Sequence, residues 1–327
     1  MENLCVDCKV CDGKACRNKI PGPGAKGLGL GAVRNYEKWQ QVRVMLDTLV
    51  ESGPVNTEVT LLGRKLSAPI MAGPVGAVQM HYGNQYDDLT YNDLLVKACK
   101  TIGLVGFTGD GMDPQVMIQG CQAIKQIEGA GIPTVKPWSN QAVKTKLDIV
   151  KDSQAMAVAM DVDAAGLPFL KNSAEPAGNK SVSELKELIE YVNKPFIVKG
   201  IMTVKGARKA LEAGADAIIV SNHGGRVLDQ CLATAEVLEE IVAEVNGRMC
   251  VLVDGGIRTG VDVFKALALG ADGVLVARPF VTAAYFGGFD AVVQCGRQLI
   301  EELEDTMLMC GAKQISDITR DMVRWAK

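Results

Sequence analysis

From Ala68 onward the chain repeats one pattern: a short apolar run, a polar or glycine-bearing turn, then a longer stretch whose apolar residues fall at helical spacing. The apolar runs lie at 68–73, 104–109, 132–138, 156–163, 195–200, 217–222, 249–255 and 273–279. Each is nearly continuous in apolar character and too short for a helix, as expected of strands buried on both faces. Helices are expected near 87–101, 113–129, 140–153, 181–193, 203–213, 232–246, 260–269 and 281–304. Eight such units predict an α/β protein with a closed (β/α)8 barrel, a TIM barrel, for which about 250 residues is usual. An open doubly wound sheet is the alternative, because strand count alone does not prove closure. Ahead of the repeat, 35–49 has helical spacing through Trp39, Val42, Leu46 and Leu49, and an extended segment follows through Leu62. The expected organisation is an N-terminal extension over 1–60 and a barrel over 61–327.

Composition changes this picture little. Thirty-five glycines and 5% aromatics among 327 residues suit many tight strand-to-helix turns. A net charge of −3 gives no basic surplus for nucleic acid, and no apolar run approaches the ~18 residues of a membrane span. The N-terminus has neither a basic nor an apolar leader, so the protein is expected to be cytoplasmic.

The ten cysteines add candidate chemistry. Cys99, Cys121, Cys231, Cys250, Cys295 and Cys310 are scattered and read as small buried hydrophobes. Cys5, Cys8, Cys11 and Cys16 form a C-x2-C-x2-C-x4-C run, close to the ferredoxin spacing C-x2-C-x2-C-x3-C. Gly13 can supply the turn before the fourth thiol. A [4Fe-4S] cluster is favoured over zinc, and a flexible tail with redox-labile thiols is the alternative. Gly22, Gly24 and Gly27 satisfy G-x-G-x-x-G, but a dinucleotide fingerprint must follow a strand, and here a cysteine cluster precedes it.

A barrel places its chemistry at the C-terminal ends of its strands. Asp161 and Asp163 end strand four and Lys199 ends strand five. Ser221, Asn222, His223, the glycine pair 224–225 and Arg226 follow strand six. Gly255, Gly256 and Arg258 with Arg278 after strands seven and eight suit a phosphate: glycine allows close backbone approach, and guanidinium forks and helix N-termini donate. His223 has the access and the pKa range of a catalytic base, Arg226 can hold a carboxylate, and Asp163 can stabilise the imidazolium. Buried Lys199 must find an anion, and a reduced flavin ring is one; a Schiff-base role is the other functional reading. His81, in the 81–84 loop, reads as a solvated residue.

The segments 196–201, 217–229, 253–258 and 273–279, with the core Ser221-Asn222-His223-Gly224-Gly225-Arg226, resemble the FMN-dependent α-hydroxy acid dehydrogenase family of glycolate and lactate oxidases. The resemblance implies an FMN-binding barrel that oxidises a 2-hydroxy acid, with His223 as base, Arg226 on the substrate carboxylate, Asp163 on the histidine and Lys199 against flavin N1 and the C2 carbonyl. Asp254, Gly255, Gly256, Arg258, Ala277 and Arg278 would hold the ribityl phosphate. Gly73, Pro74 and Val75 would lie against the flavin, and Thr108, Thr134 and Ser221 would complete the cofactor contacts. It also implies a homo-oligomer, a tetramer, and leaves room for an electron-acceptor protein.

The departures are specific. Family oxidases carry a substrate-contacting tyrosine at the end of strand three, where this chain reads Thr134-Val135-Lys136-Pro137-Trp138. The second family arginine for the carboxylate is missing from 164–169, and the Pro/Gly loop replaces the N-terminal tyrosine. Two other activities stay open: a flavin-dependent isomerase of the type 2 isopentenyl diphosphate isomerase kind, and a flavin-binding electron-transfer module using the cysteines.

Overall fold

Eight parallel strands close on themselves, Ile70–Ala72, Val105–Thr108, Gly131–Val135, Val158–Asp161, Phe196–Ile201, Ala217–Val220, Cys250–Val253 and Gly273–Val276. Closure is made by the eighth strand pairing with the first, Val274 beside Ile70. This computed structural model describes residues 5–20, 22–171 and 177–326; Pro21 of the Pro/Gly loop and the first four residues lie outside them. The barrel expectation therefore holds over the open sheet.

Alternation along each strand sorts the side chains. Met71, Phe107, Ile132, Ala159, Ile197, Ile219, Leu252 and Leu275 fill the barrel interior. Ile70, Val135, Met160, Val198, Ile218, Val253 and Val274 face the helices. The same two-residue period carries Thr134, Asp161, Lys199, Ser221, Asp254 and Ala277 to the inward face at the C-terminal end. At the other end a hairpin, Val59–Leu61 with Arg64–Leu66, adds Leu61 and Leu66 to the interior cluster and plugs the barrel.

The connecting helices span Asp88–Thr101, Pro114–Gln126, Asn140–Asp152, Val182–Val192, Val204–Ala213, Thr234–Val245, Gly260–Ala268 and Arg278–Met309. Their starts follow side-chain caps where the sequence supplies them: Asp87, Asp113, Ser139, Ser181, Thr203 and Thr259 each accept a main-chain N–H. The last helix is longer than the expected 281–304 and is broken at Gly288, whose φ is 65°. No helix among the described residues is long and apolar enough to cross a membrane.

The N-terminal extension differs from the expected 35–49 helix. The helix is Leu30–Gln41, and Val42–Val44 forms a strand antiparallel to Val323–Trp325. Val42 is fully buried while Leu46 and Leu49 are 70% and 97% exposed, so their helical spacing covers no core. The β-branched Val42 and Val44 go to the strand because the C-terminus offers a partner. Asp229 anchors the start of the helix from a distance, accepting from the N–H groups of Leu28 and Leu30 at 2.7 and 3.1 Å.

Among the described residues no disulfide joins any of the ten cysteines. Cys99, Cys121 and Cys310 are buried, and Cys231, Cys250 and Cys295 are half-buried.

Candidate active site

A cleft of about 1100 Å³, counted to its open mouth, lies over the C-terminal strand ends and is lined by Gly73, Lys136, Lys199, His223, Arg226 and Arg258 among others. His223 opens a tight turn, His223–Gly225, and itself has a φ of 56°. That left-handed conformation costs a non-glycine residue about 1–2 kcal/mol. It is held by the His223 N–H donating to Ser221 Oγ at 3.1 Å, so the Ser221 hydroxyl serves the histidine backbone.

Asp163 reaches the ring from strand four through the short turn Val162–Gly166, and its Oδ1 lies 3.1 Å from His223 Nδ1. Gly200, at φ 104°, makes this approach feasible, because a Cβ there would sit 2.6 Å from the Asp163 carboxyl carbon. Burial and then the Lys199 charge lower the pKa of His223, with Asp163 and Asp161 partly offsetting them. The ring is thus neutral near pH 7, with Nδ1 committed to Asp163 and Nε2 the nitrogen left to accept a proton.

Lys199 is met by protein carboxylates: its Nζ lies 3.2 Å from Asp161 Oδ1 and 3.5 Å from Asp254 Oδ2. Burial opposes its charge, but Asp161, Asp254 and Asp163 outweigh burial and raise its pKa. Lys136 makes a second buried pair with Asp161, Nζ to Oδ2 at 2.5 Å. Burial alone would raise the Asp161 pKa; Lys136 and Lys199 drive it well down instead. Lys136 therefore stands as a paired cation in the cleft at the strand end that lacks the tyrosine. Sequence reasoning missed its role and that of Asp161, because the pair joins two strands and neither residue belongs to a motif.

Arg226 reaches the cleft, but the Pro/Gly loop takes part of its fork. Nη1 donates to the carbonyls of Gly22 and Gly24, and Nη2 lies 3.5 Å from His81 Nδ1. The expectation of a solvated His81 is overturned. It is buried, 6% exposed, and its Nδ1 accepts the Gly22 N–H at 3.0 Å. Burial, then the charges of Arg226 and Lys136, lower its pKa from 6.5 to about 3. Nothing in the 81–84 sequence signals this, since the loop that covers His81 is some sixty residues away.

At the phosphate corner Gly255 and Gly256 have φ of 84° and 90°. They also receive the N-terminal helix: a Cβ on Gly255 would lie 2.8 Å from Asn35 Nδ2, and one on Gly256 2.5 Å from the Asn35 main chain. Trp39 Nε1 donates to the Gly255 carbonyl at 2.8 Å. Arg258 Nε donates to the Cys11 carbonyl at 2.8 Å, and Arg278 Nη2 to that of Gly224 at 3.1 Å.

Thr108 does not share the inward face of the other strand-end residues. Phe107 faces the barrel interior, so Thr108 faces outward, and a Cβ on Gly120 of the adjacent helix would fall 2.8 Å from its Oγ1. The four N-terminal cysteines line a second, broader cavity beside Arg258 and Arg278. Burial, then the neighbouring Cys11, Cys5 and Cys16, push the Cys8 thiol up.

The sequence matches the pattern of a family described as FMN-dependent dehydrogenase over residues 23–169 and 130–325. The chain belongs to that family. Among relatives of this FMN-dependent dehydrogenase, the peroxisomal (S)-2-hydroxyacid oxidase GLO3 of Arabidopsis thaliana is 34% identical over 322 residues, covering 89% of this chain and 87% of its own. Glycolate oxidase 1 of Oryza sativa subsp. indica is 31% identical, covering 88% and 85%. A mandelate oxidase structure with 2-hydroxy-phenylacetamide superposes with a TM-score of 0.81 at 28% identity, covering 93% and 92%. A mandelate oxidase with a monooxide FMN adduct superposes at 0.76 with 29% identity, covering 92% and 93%.

The residues present fit FMN. Thr134 Oγ1 and Asp254 Oδ1 are buried at inward strand ends with no hydrogen-bond partner among the described residues. Leaving such atoms unpaired costs about 1–3 kcal/mol each, a cost that a ring bearing N–H and carbonyl groups relieves. Arg258 and Arg278 keep guanidinium N–H groups beyond those given to carbonyls, and the helix Gly260–Ala268 starts beside them, which suits a phosphate.

Proposed function

We propose that this FMN-dependent dehydrogenase oxidises small 2-hydroxy acids to 2-oxo acids. The observation that carries the reading is the neutral His223, held by Asp163 at 3.1 Å in a cleft that also holds Lys199 and Arg226. Relatives named as 2-hydroxyacid and glycolate oxidases support the substrate class.

His223 Nε2 takes a proton from the substrate, and Asp163 stabilises the imidazolium that forms. Arg226 steers the substrate carboxylate with the guanidinium N–H groups that the Gly22 and Gly24 carbonyls leave over. Gly73, Pro74 and Val75 would lie against the flavin, with Lys199 and Thr134 at its polar edge. Gly255, Gly256, Ala277, Arg258 and Arg278 would hold its ribityl phosphate, with Asp254 Oδ1 accepting from the cofactor's N–H or hydroxyl groups. Bound FMN supplies the two-electron acceptor that no side chain offers.

Lys136 takes the strand-end position where the resembled oxidases carry tyrosine, so substrate preference is expected to depart from theirs. Ten cysteines with no disulfide among the described residues support a reducing, cytoplasmic setting.

The test is His223→Ala. The variant is expected to retain FMN yet fail to bleach it anaerobically with any of glycolate, lactate or mandelate, whichever bleaches the parent. Bleaching at the parent rate would overturn the role of His223. Absence of FMN from the parent protein would overturn the reading as a whole.

A further inference from the structure

We propose that Cys5, Cys8, Cys11 and Cys16 bind a [4Fe-4S] cluster in the cavity beside the phosphate corner of the flavin cleft. All four thiols line that cavity, which measures about 2230 Å³ counted to its open mouth. Their spacing, C-x2-C-x2-C-x4-C, gives one chain segment four thiolates that can surround a single centre.

The segment is shaped although it has little core of its own. Val6 and Val10 are 61% and 51% exposed, and no helix or strand spans 5–16. It is nevertheless pinned to the barrel. Cys5 Sγ lies 3.7 Å from Thr282 Oγ1, and the Cys11 carbonyl accepts from Arg258 Nε at 2.8 Å. Gly13 turns the chain between Cys11 and Cys16 at φ 85°, pressed so closely on the N-terminal helix that a Cβ would meet the Ala32 methyl at 3.0 Å. Ordering a backbone costs about 1–2 kcal/mol per residue. A stretch that buries so little apolar surface recovers this more readily from metal–thiolate bonds than from packing.

Sulfur separation favours the larger centre. A tetrahedral zinc with Zn–S of about 2.3 Å brings all four sulfurs within about 4 Å of one another. Among the described residues no three cysteine sulfurs lie within 4.8 Å of one another; the one group that does is Asp161, Asp163 and His223. A cubane does not need the sulfurs that close, because each thiolate binds a different iron. Arg258 and Arg278 line both the flavin cleft and the cysteine cavity, which makes the cluster a neighbour of the flavin's phosphate end.

The experiment uses the full-length protein purified anaerobically, assayed separately for iron, acid-labile sulfide, zinc and FMN. The expected result is about four iron and four sulfide per chain, with an electron paramagnetic resonance signal appearing on dithionite reduction. Cys8→Ala and Cys11→Ala are each expected to lose most of the iron and keep FMN, while Cys231→Ala keeps both. One zinc per chain without iron, or neither metal, would overturn the proposal. The stoichiometry of the parent protein decides even where a cysteine variant fails to fold. Because FMN is counted independently, an iron-free flavoprotein would refute the cluster alone, and a flavin-free protein with iron would refute only the oxidase reading.

Discussion

Asp163 and His223 meet, Oδ1 to Nδ1 at 3.1 Å, only because Gly200 between their strands carries no side chain. The contact joins the ends of strands four, five and six in one arrangement, and it fixes which ring nitrogen of the histidine is available for proton transfer.

Asp163→Asn keeps the shape but removes the charge that stabilises imidazolium. Substrate-driven flavin reduction is expected to fall by roughly 10²- to 10⁴-fold, with FMN content unchanged. Anaerobic stopped-flow absorbance reads this; a loss under threefold would mean that Asp163 only fills space.

Gly200→Ala strains a backbone at φ 104° and drives a Cβ into Asp163. A loss of roughly 1–3 kcal/mol is expected in urea denaturation, together with slower flavin reduction. Full stability with slow reduction would show that the loop yields instead of the fold.

Lys199→Met leaves Asp254 without its cation and Asp161 with Lys136 alone. Removing one partner of a buried ion pair costs about 3–5 kcal/mol. The variant should melt earlier and lose FMN on dialysis, and retention of both properties would contradict the pairing.

His81 supplies a pH dependence of stability. Its pKa falls from 6.5 to about 3 on folding. Between those values the unfolded chain binds the extra proton, so the fold loses roughly 1.4 kcal/mol of stability per unit as pH drops. The contribution is fully present above pH 6.5. His81→Gln is expected to flatten the urea-stability slope across that window by about one proton, and an unaltered slope would mean that His81 is protonated in the fold.

Arg226→Lys cannot reproduce a fork that gives two N–H contacts to loop carbonyls and, in the proposed function, others to a substrate carboxylate. A KM rise of roughly 10- to 100-fold is expected, about 1.4–2.8 kcal/mol of lost binding. An unchanged KM in steady-state assays would move carboxylate recognition to another cation, with Lys136 the first candidate.

The barrel, and the place of several candidate residues in its cleft, were legible along the chain. Strands buried on both faces leave continuous apolar runs, and the inward face repeats every second residue, so Lys199, Asp254 and His223 could be placed from their position after each run. Thr108 escaped this reading by one residue of parity: it ends a strand, but Phe107 holds the inward face and turns it toward the helices.

What the sequence determined by itself is whatever is written in local periodicity: eight strand–helix units, the residues at their ends, and the resemblance in 190–310 that pointed to FMN. Tertiary structure alone decided the contacts between distant segments. The Pro/Gly loop seats on Arg226 and His81, Asn35 and Trp39 occupy the space above Gly255 and Gly256, Val42–Val44 takes a C-terminal partner, and Lys136 pairs with Asp161. These joins leave no periodic trace, because each depends on two surfaces meeting across a closed barrel and neither surface encodes the other.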